Sequence, residues 1–359
     1  MTPSASRTPT KRPSLFVYFI VLAIALIVST GVLANFGFLS NGTSSTSLSG
    51  LKSRSNAISS STPNYNATAP VREYLYAGEK LVATSEPINP APTDLAVWRV
   101  STGYWYVMDE NGPTATVAFG TSGDVPSPGD FDADGKTDFC VFRPSDGNWY
   151  LLESGNGNNF VVINFGSSGD VPVPADFDGD GMTDLALFRP TTNNWWVRRM
   201  ATGQVSSFEY GNSGDIPLPS DFDGDGKADF ALWRNSNGTW YVMQSNSLTQ
   251  ASFAWGQSGD KPVPADYDGD GKTDHAVWRN TNTWYIYSSS TQSWWTQSWG
   301  DQSGDIAVPG DYDGDGKSDI ASWRPSNGNW YIRKSSSGTL RQQHWGQSGD
   351  VPVPAPYRR

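Results

Sequence analysis

The sequence predicts an all-β protein, namely a β-propeller of six four-stranded blades that a C-terminal inner strand closes. Three observations predict this fold class. A loop rich in Asp and Gly recurs five times at intervals of about 45 residues, each repeat contains four short apolar stretches, and 16 Trp and 37 Gly accompany few long helix-forming runs. A period of this length with four short strands is typical of propeller blades.

The repeated loop has the composition of a calcium site. It places aspartates at positions 1, 3, 5 and 9 and a glycine at position 6. Alternating aspartates can turn their oxygens inward, the glycine permits a sharp reversal, and hard oxygen ligands without His or Cys favour calcium over zinc or copper. We therefore predict about five calcium ions, held by Asp130, Asp132, Asp134, Asp138, Asp176, Asp178, Asp180, Asp184, Asp221, Asp223, Asp225, Asp229, Asp266, Asp268, Asp270, Asp274, Asp311, Asp313, Asp315 and Asp319.

The residues that follow the loop distinguish it from an EF-hand. An EF-hand loop lies between two helices and supplies a bidentate Glu at position 12. Position 12 is Val, Leu or Ser in the five copies, and short apolar stretches such as 184–189 and 229–234 follow the loop. These stretches are β-prone, so the loop is predicted to join two strands.

Alternating prolines predict an edge strand in each blade. Pro172 and Pro174 alternate in the first apolar stretch of the third repeat, and equivalent pairs include Pro217/Pro219, Pro262/Pro264 and Pro352/Pro354. Because alternate residues of a strand direct their N–H groups to the same side, each pair removes donors on one side only. This strand is therefore predicted to be the innermost strand of its blade, next to the central channel.

Six pairs of neighbouring aromatic residues give the number of blades. They are Trp105-Tyr106, Trp149-Tyr150, Trp195-Trp196, Trp240-Tyr241, Trp284-Tyr285 and Trp330-Tyr331. The first repeat has Glu86, Ile88 and Pro90 where aspartates are expected, whereas the chain ends with an additional inner strand over residues 351–356. We expect this last strand to complete the first blade and so to close the ring.

The loop and the strand after it resemble the FG-GAP/VCBS repeat family, whose best-known members are the integrin α-subunit propellers. The resemblance covers about residues 88–357, and the Phe-Gly signal of the family recurs as an aromatic residue followed by Gly in all six repeats. The Gly-Ala-Pro part of the family pattern has no clear match. The resemblance implies calcium loops that lie between the first two strands of a blade and have a structural role.

The N-terminal region predicts export. Arg7, Lys11 and Arg12 precede an apolar run over residues 15–28, and the segment ends at Ala34. This pattern is typical of a signal peptide cleaved after Ala34, although extension to Ala34 gives a segment of about 20 residues that can also span a bilayer as a retained anchor. Either alternative exports the rest of the chain.

The predicted organisation has four parts. Residues 1–39 form the signal peptide or signal anchor, and residues 40–70 a flexible Ser/Thr-rich linker. Residues 71–87 form a short β-hairpin with its turn near Gly78, and residues 88–359 form the propeller. Whether residues 71–87 join the ring or make a seventh blade is open at this point.

Charge and composition exclude several classes of function. The formal net charge is −11, and five calcium ions would bring ten positive charges, so metal sites account for most of the acidity. Nucleic-acid binding therefore has no basic surface to support it. Cys140 is predicted to be a small buried apolar residue, and a single cysteine permits no disulfide within the chain.

Other repeated residues favour structural roles. Each repeat has an Arg at the end of its second strand and an Asp in a Ser-Gly-Asp sequence, which predicts a repeated ion pair. His275 and His344 have no nucleophile or ligand partner in the sequence, and no nucleophile elbow, phosphate loop or HExxH is present. We therefore predict that the protein is not an enzyme.

Most tryptophans recur at equivalent positions and are predicted to pack between strands and blades. Trp294, Trp295 and Trp299 depart from this pattern and form the candidate ligand-binding site. The predicted function is a calcium-binding interaction or adhesion scaffold, secreted or anchored at the cell surface, monomeric, with an unknown protein or glycan as partner. Its membrane contact is expected through the N-terminal segment alone. A carbohydrate-binding propeller and a secreted hydrolase or lyase are the alternatives, because fold does not fix function.

Overall fold

The computed structural model describes residues 73–77, 80–85, 92–155, 157, 159–301 and 304–357. The chain divides into two units, Met1–Pro87 and Ile88–Arg359. The predicted signal or anchor segment, the linker, and the residues Glu86, Ile88 and Pro90 lie outside the described residues. Within the described ranges, no helix is long and apolar enough to cross a membrane.

The first unit contains an antiparallel pair of strands. β1 (Glu73–Ala77) pairs with β2 (Lys80–Ser85), with a register shift between Leu75 and Tyr76. Gly78, the predicted turn residue, lies outside the described residues.

The second unit is a six-bladed β-propeller, as the repeat pattern predicts. Each blade is an antiparallel sheet of four strands. The strands are β3 (Leu95–Arg99), β4 (Tyr104–Asp109), β5 (Gly112–Ala118), β6 (Val125–Pro126), β7 (Phe139–Arg143), β8 (Asn148–Glu153), β9 (Asn159–Asn164), β10 (Val171–Pro172), β11 (Leu185–Arg189), β12 (Asn194–Arg198), β13 (Val205–Glu209), β14 (Asp215–Pro217), β15 (Phe230–Arg234), β16 (Thr239–Met243), β17 (Gln250–Ala254), β18 (Lys261–Pro262), β19 (His275–Arg279), β20 (Thr283–Ser288), β21 (Ser293–Ser298), β22 (Ile306–Ala307), β23 (Ile320–Arg324), β24 (Asn329–Arg333), β25 (Leu340–His344) and β26 (Asp350–Pro352).

The C-terminal strand closes the ring. Blade 1 consists of β26, β3, β4 and β5, whereas blades 2 to 6 each use four consecutive strands that start at β6, β10, β14, β18 and β22. Val351 is opposite Trp98 and Pro352 opposite Val97, and the Val353 N–H donates to the Ala96 carbonyl at 2.8 Å. The sequence-based prediction of closure is therefore confirmed.

The first strand of every blade is short and lies at an edge of its sheet, as the prolines predict. β10, β18 and β26 end at Pro172, Pro262 and Pro352. Each of these prolines lacks an N–H donor, so pairing is restricted to the side of the second strand.

The core consists of aromatic and aliphatic side chains within and between blades. Ten of the tryptophans in the described ranges are buried to below 2 % exposure, which confirms the packing role predicted for them. The first Trp of each aromatic pair donates its indole N–H to the carbonyl of the aromatic residue before the Gly, over 2.7–3.3 Å. Each of these tryptophans therefore links the third strand of a blade to the segment that leaves the fourth strand. Cys140 is buried and free, as predicted.

Candidate metal centres

The five aspartate loops lie between the first and second strands of blades 2 to 6. In each loop the residue before position 1 forms an isolated β-bridge with the aspartate at position 9, as between Gly129 and Asp138. This bridge holds the two ends of the loop together, so the carboxylates at positions 1, 3, 5 and 9 are confined to a small volume.

The aspartate at position 1 organises the loop backbone. Its Oδ2 accepts the N–H of the glycine at position 6 over 2.8–2.9 Å in all five loops. In blades 3 to 6 its Oδ1 accepts the N–H of the glycine at position 4 at 2.6 Å. Both glycines have positive φ, which other residues rarely adopt. Blade 2 has Ala133 at position 4, with φ of 58°.

The aspartate at position 9 is fully buried and joins the loop to the rest of its blade. Its Oδ2 accepts the N–H of position 2 over 2.8–3.1 Å. Its Oδ1 accepts a backbone N–H from the turn between the third and fourth strands over 2.6–3.0 Å. Burial raises the pKa of Asp138, Asp229 and Asp274 to about 6, because it disfavours the charged form.

The carboxylates of each loop converge. One oxygen from each of three aspartates lies within 4.8 Å of the others in all five loops, drawn from positions 1, 3 and 5 in blades 3, 4 and 6 and from positions 1, 3 and 9 in blades 2 and 5. Within the described residues, the Oδ1 atoms of Asp130, Asp178 and Asp313 are buried without a hydrogen-bond partner. Orphaned carboxylate oxygens of this kind fit a hard cation.

Serine hydroxyls from the turn between the third and fourth strands support the loops. Ser154, Ser289 and Ser335 each donate to the aspartate at position 5 of their own blade, over 2.9–3.0 Å. These donors fix the orientation of the carboxylates, as hydrogen bonds to the ligands of a metal ion do. These serines were not predicted from the sequence, although the recurrence of Ser just after the third strand was a usable signal.

Comparison with known proteins agrees with this architecture. A model of the FG-GAP-like repeat family matches residues 130–187 and 221–277, which contain the loops and second strands of blades 2 to 5. The chain is an FG-GAP-repeat β-propeller. A search of curated proteins gave no match.

Several solved structures resemble the FG-GAP propeller at low sequence identity. One is an Agrocybe aegerita lectin that recognises non-reducing terminal N-acetylglucosamine. It has 13% sequence identity and a TM-score of 0.49, and the match covers 72% of this chain and 77% of that chain. AztD from Citrobacter koseri has 9% identity, a TM-score of 0.41, and coverage of 75% and 100%. A Bacteroides caccae protein of unknown function has 11% identity, a TM-score of 0.42, and coverage of 74% and 91%. Likenesses this distant carry no information on ligand or partner.

The loop of blade 3 differs from the others because it contains a guanidinium group. Arg199 Nη1 lies 2.6 Å from Asp184 Oδ2, and its Nε lies 3.6 Å from Asp178 Oδ2. The pKa of Asp184 is raised by burial, and the hydrogen bond from Arg199 acts in the opposite direction. A positively charged group of the protein itself therefore contacts two aspartates of this candidate metal centre.

Backbone hydrogen bonds join the loops of adjacent blades. The N–H at position 8 donates to the carbonyl at position 1 of the preceding blade, as from Thr183 to Asp130 at 2.6 Å and from Ser318 to Asp266 at 2.7 Å. The seam of the ring has the same bond, from Thr137 to Pro356 at 2.9 Å. The first residue of each aspartate loop is consequently part of the contact between two blades.

The repeated arginines and aspartates form six ion pairs, as predicted. Each Arg binds its Asp through Nε and Nη2 at 2.6–3.0 Å, and each Asp side chain is at most 1% exposed. The guanidinium also lies over an aromatic ring, for example 4.1 Å from the centroid of Tyr241 for Arg234. The pairs are Arg99–Asp350, Arg143–Asp124, Arg189–Asp170, Arg234–Asp215, Arg279–Asp260 and Arg324–Asp305.

The three tryptophans predicted as a ligand site occupy different surroundings. Trp294 is 62% exposed and pairs with Tyr287, whereas Trp295 is 37% exposed, pairs with Ile286 and so faces the other side of the sheet. Trp299 is partly buried and donates its indole N–H to the Tyr331 carbonyl of blade 6 at 3.1 Å. The structure therefore does not bring the three rings into one surface, and Trp294 is the most exposed of them.

Proposed function

We propose that this FG-GAP propeller is an exported, non-catalytic scaffold that calcium stabilises and that presents its surface to a protein or glycan partner outside the cell. The observation that carries the calcium part is the convergence of three carboxylates in each of five loops. In three of these loops, within the described residues, one buried carboxylate oxygen also lacks a hydrogen-bond partner. Oxygen-only donors are the ligands that calcium prefers.

Calcium would stabilise the ring because the loops hold buried carboxylates together and also form the contacts between blades. Without an ion, the aspartates of one loop repel one another at short distance. At millimolar calcium and an affinity of about 10⁻⁴ M, each site would contribute roughly 1.4 kcal/mol to the free energy of unfolding. Five such contributions are comparable to the whole stability of an ordinary domain, about 5–15 kcal/mol.

The scaffold part of the proposal has two supports. FG-GAP repeats are typical of extracellular proteins, and the N-terminal sequence has the composition of an export signal. The loop aspartates and the six paired aspartates already accept hydrogen bonds within the fold, as Asp130 and Asp350 do, and the sequence contains no nucleophile elbow, phosphate loop or HExxH. A propeller of this kind is suited to interaction rather than to catalysis.

The first test is thermal unfolding of the full chain with calcium and with EDTA, followed by calcium titration in a calorimeter. We expect chelation to lower the melting temperature by more than 10 °C, since the summed contributions reach several kcal/mol, and about five ions to bind. No change in melting temperature together with no heat of calcium binding would overturn the proposal.

A second candidate function is carbohydrate binding. It is favoured by a group of aromatic rings on blades 4 and 5, of which Trp294 is exposed and Trp255 and Tyr287 are half-buried. Trp255 lies 5.5 Å from Tyr287 and 6.3 Å from Trp294 between ring centroids. Aromatic faces that remain exposed in a soluble protein can stack on the apolar face of a sugar ring. A glycan array probed with the full chain tests this candidate.

A further inference from the structure

The repeat pattern is also interrupted at the cleft between blades 4 and 5. A pocket of about 330 Å³ opens there and is lined by both blades. His275, Tyr287 and Trp294 are direct cross-strand partners on β19, β20 and β21, so their side chains lie in one row on the same face. Phe253 of blade 4 faces this row, with its ring centroid 4.7 Å from those of both His275 and Tyr287.

His275 stands where every other blade has an apolar residue. The equivalent residues, which belong to the apolar clusters between blades, are Leu95, Phe139, Leu185, Phe230 and Ile320. Nε2 of His275 is buried and has no hydrogen-bond partner among the described residues, although the residue lines the pocket. A buried, unpaired nitrogen in a native structure calls for a partner.

Gln292 is a second departure at the same pocket. It lies in the turn between β20 and β21 with φ of 50°, a conformation in which blades 3 and 6 have Gly203 and Gly338. A positive φ is unfavourable for a residue with a side chain and is often retained at functional sites. Here the strained position places an amide side chain in the lining of the pocket.

The lining favours a small neutral ligand. Phe253 and Tyr287 offer aromatic faces, Gln244 and Gln292 offer amides, and none of the lining residues is Lys or Arg. Asp229 is the only carboxylate in the lining, and both of its oxygens accept backbone N–H groups, at 3.0 and 2.9 Å. The volume is near the lower end of small-molecule sites, roughly 300–1,000 Å³, and suits a single ring.

We propose that this cleft binds one neutral sugar residue, which stacks on the aromatic row and forms hydrogen bonds with His275 Nε2 and the Gln292 amide. Trp294, at the outer end of the row, extends the stacking surface towards solvent. The inference rests on the carbohydrate-binding candidate above and assigns it a site.

The test measures binding of neutral methyl glycosides of glucose, galactose, mannose and N-acetylglucosamine to the calcium-loaded full chain, by saturation-transfer NMR and calorimetry. Choline chloride serves as a cationic probe. The variants are His275→Phe, which restores the residue type of Phe139 and Phe230, and Gln292→Gly, which restores that of Gly203. Leu248→Gly is the matched control, because Leu248 has the same turn position in blade 4 with φ of 54° but does not line the pocket.

We expect at least one glycoside to bind, with affinity at least tenfold weaker in His275→Phe and in Gln292→Gly and within twofold of wild type in Leu248→Gly. All three variants should melt at or above the wild-type temperature, since each restores a residue typical of the repeat, so a loss of binding would not reflect unfolding. Sugar binding that is equal in all variants would overturn the site but leave the carbohydrate-binding candidate standing. Absence of binding to every glycoside would overturn both, and binding of choline alone would overturn the neutral ligand class.

Discussion

At the scale of single residues, Arg199 gives one candidate metal centre a different charge from that of blade 4. Its guanidinium contacts Asp184 and Asp178, whereas the equivalent residue in blade 4 is Gln244, which is uncharged. An ion entering the blade 3 loop must displace or tolerate this positive charge, which opposes binding by Coulomb repulsion. The site in blade 3 is therefore expected to have the lowest calcium affinity of the five.

The substitution Arg199→Gln should act in opposite directions with and without calcium. It removes the competing charge, so the calcium affinity of the blade 3 site should rise roughly tenfold. This rise corresponds to about 1.4 kcal/mol in the free energy of binding. In EDTA it leaves Asp184 buried without its ion pair, so the melting temperature should fall. Calorimetric titration measures the calcium affinity, and melting curves in EDTA measure the stability without calcium. A variant that melts below the wild type both with calcium and in EDTA would contradict the predicted gain in affinity.

Residue-level departures of this kind were the least predictable from the sequence. The aspartates of the loops follow from composition and spacing, because one local pattern determines which side chains turn inward. Arg199 contacts Asp184 across the blade, 15 residues away, and His275 meets Phe253 only when blades 4 and 5 pack together. Such contacts depend on the placement of whole strands, which no local pattern specifies.

At the scale of single elements, the strands and their order were predictable because each has its own signal. Alternating prolines identified the edge strand. The Arg and Asp residues that recur in every repeat predicted the ion pairs, which join the start of the first strand of a blade to the end of its second strand. The support of each loop by the turn between the third and fourth strands was not predicted. It depends on hydrogen bonds from residues such as Ser154 to Asp138, which are local neither in sequence nor in pattern.

The loop as an element predicts how stability depends on pH. Burial raises the pKa of Asp138, Asp229 and Asp274 to about 6 in the metal-free fold, above the value of about 3.9 in an unfolded chain. The folded state therefore binds protons more tightly, and this stabilisation is present below about pH 4 and is lost as the pH rises through 6. His275 has the opposite effect on the pH dependence of stability, because burial lowers its pKa to about 4. The three aspartates together should outweigh this single histidine.

In EDTA, the propeller should consequently melt at a higher temperature at pH 5.5 than at pH 7.5. With saturating calcium the order should reverse, because the ion favours the charged carboxylates and protons compete with it. Melting curves at both pH values, with and without calcium, give the comparison, and His275→Phe should enlarge the difference in EDTA. A metal-free protein that is more stable at pH 7.5 than at pH 5.5 would contradict the prediction that the buried loop aspartates bind protons more tightly in the folded state.

At the scale of the whole molecule, the ring is continuous through two sets of contacts that the C terminus completes. The inner strand β26 supplies the first strand of blade 1, and the Pro356 carbonyl accepts the Thr137 N–H in place of an aspartate at position 1. Tyr357 takes the position of the buried loop aromatic and stacks on Phe139 of blade 2, with 5.3 Å between ring centroids. The count of six blades and this closure could be predicted, since an orphan strand and an incomplete repeat complement each other.

The seam at Tyr357 should therefore control the stability of the complete ring. Tyr357→Ala removes a buried aromatic ring between blades 1 and 2 and should cost about 3–5 kcal/mol, which lowers the melting temperature by roughly 6–15 °C. Tyr357→Phe is the matched control: it keeps the ring, has the residue type of Phe131 and Phe177, and loses only the hydroxyl that donates to the Val353 carbonyl at 2.8 Å. Melting curves in calcium compare the two variants. If Tyr357→Ala melts with the wild type, the seam does not limit unfolding, and the ring opens first at another contact between blades.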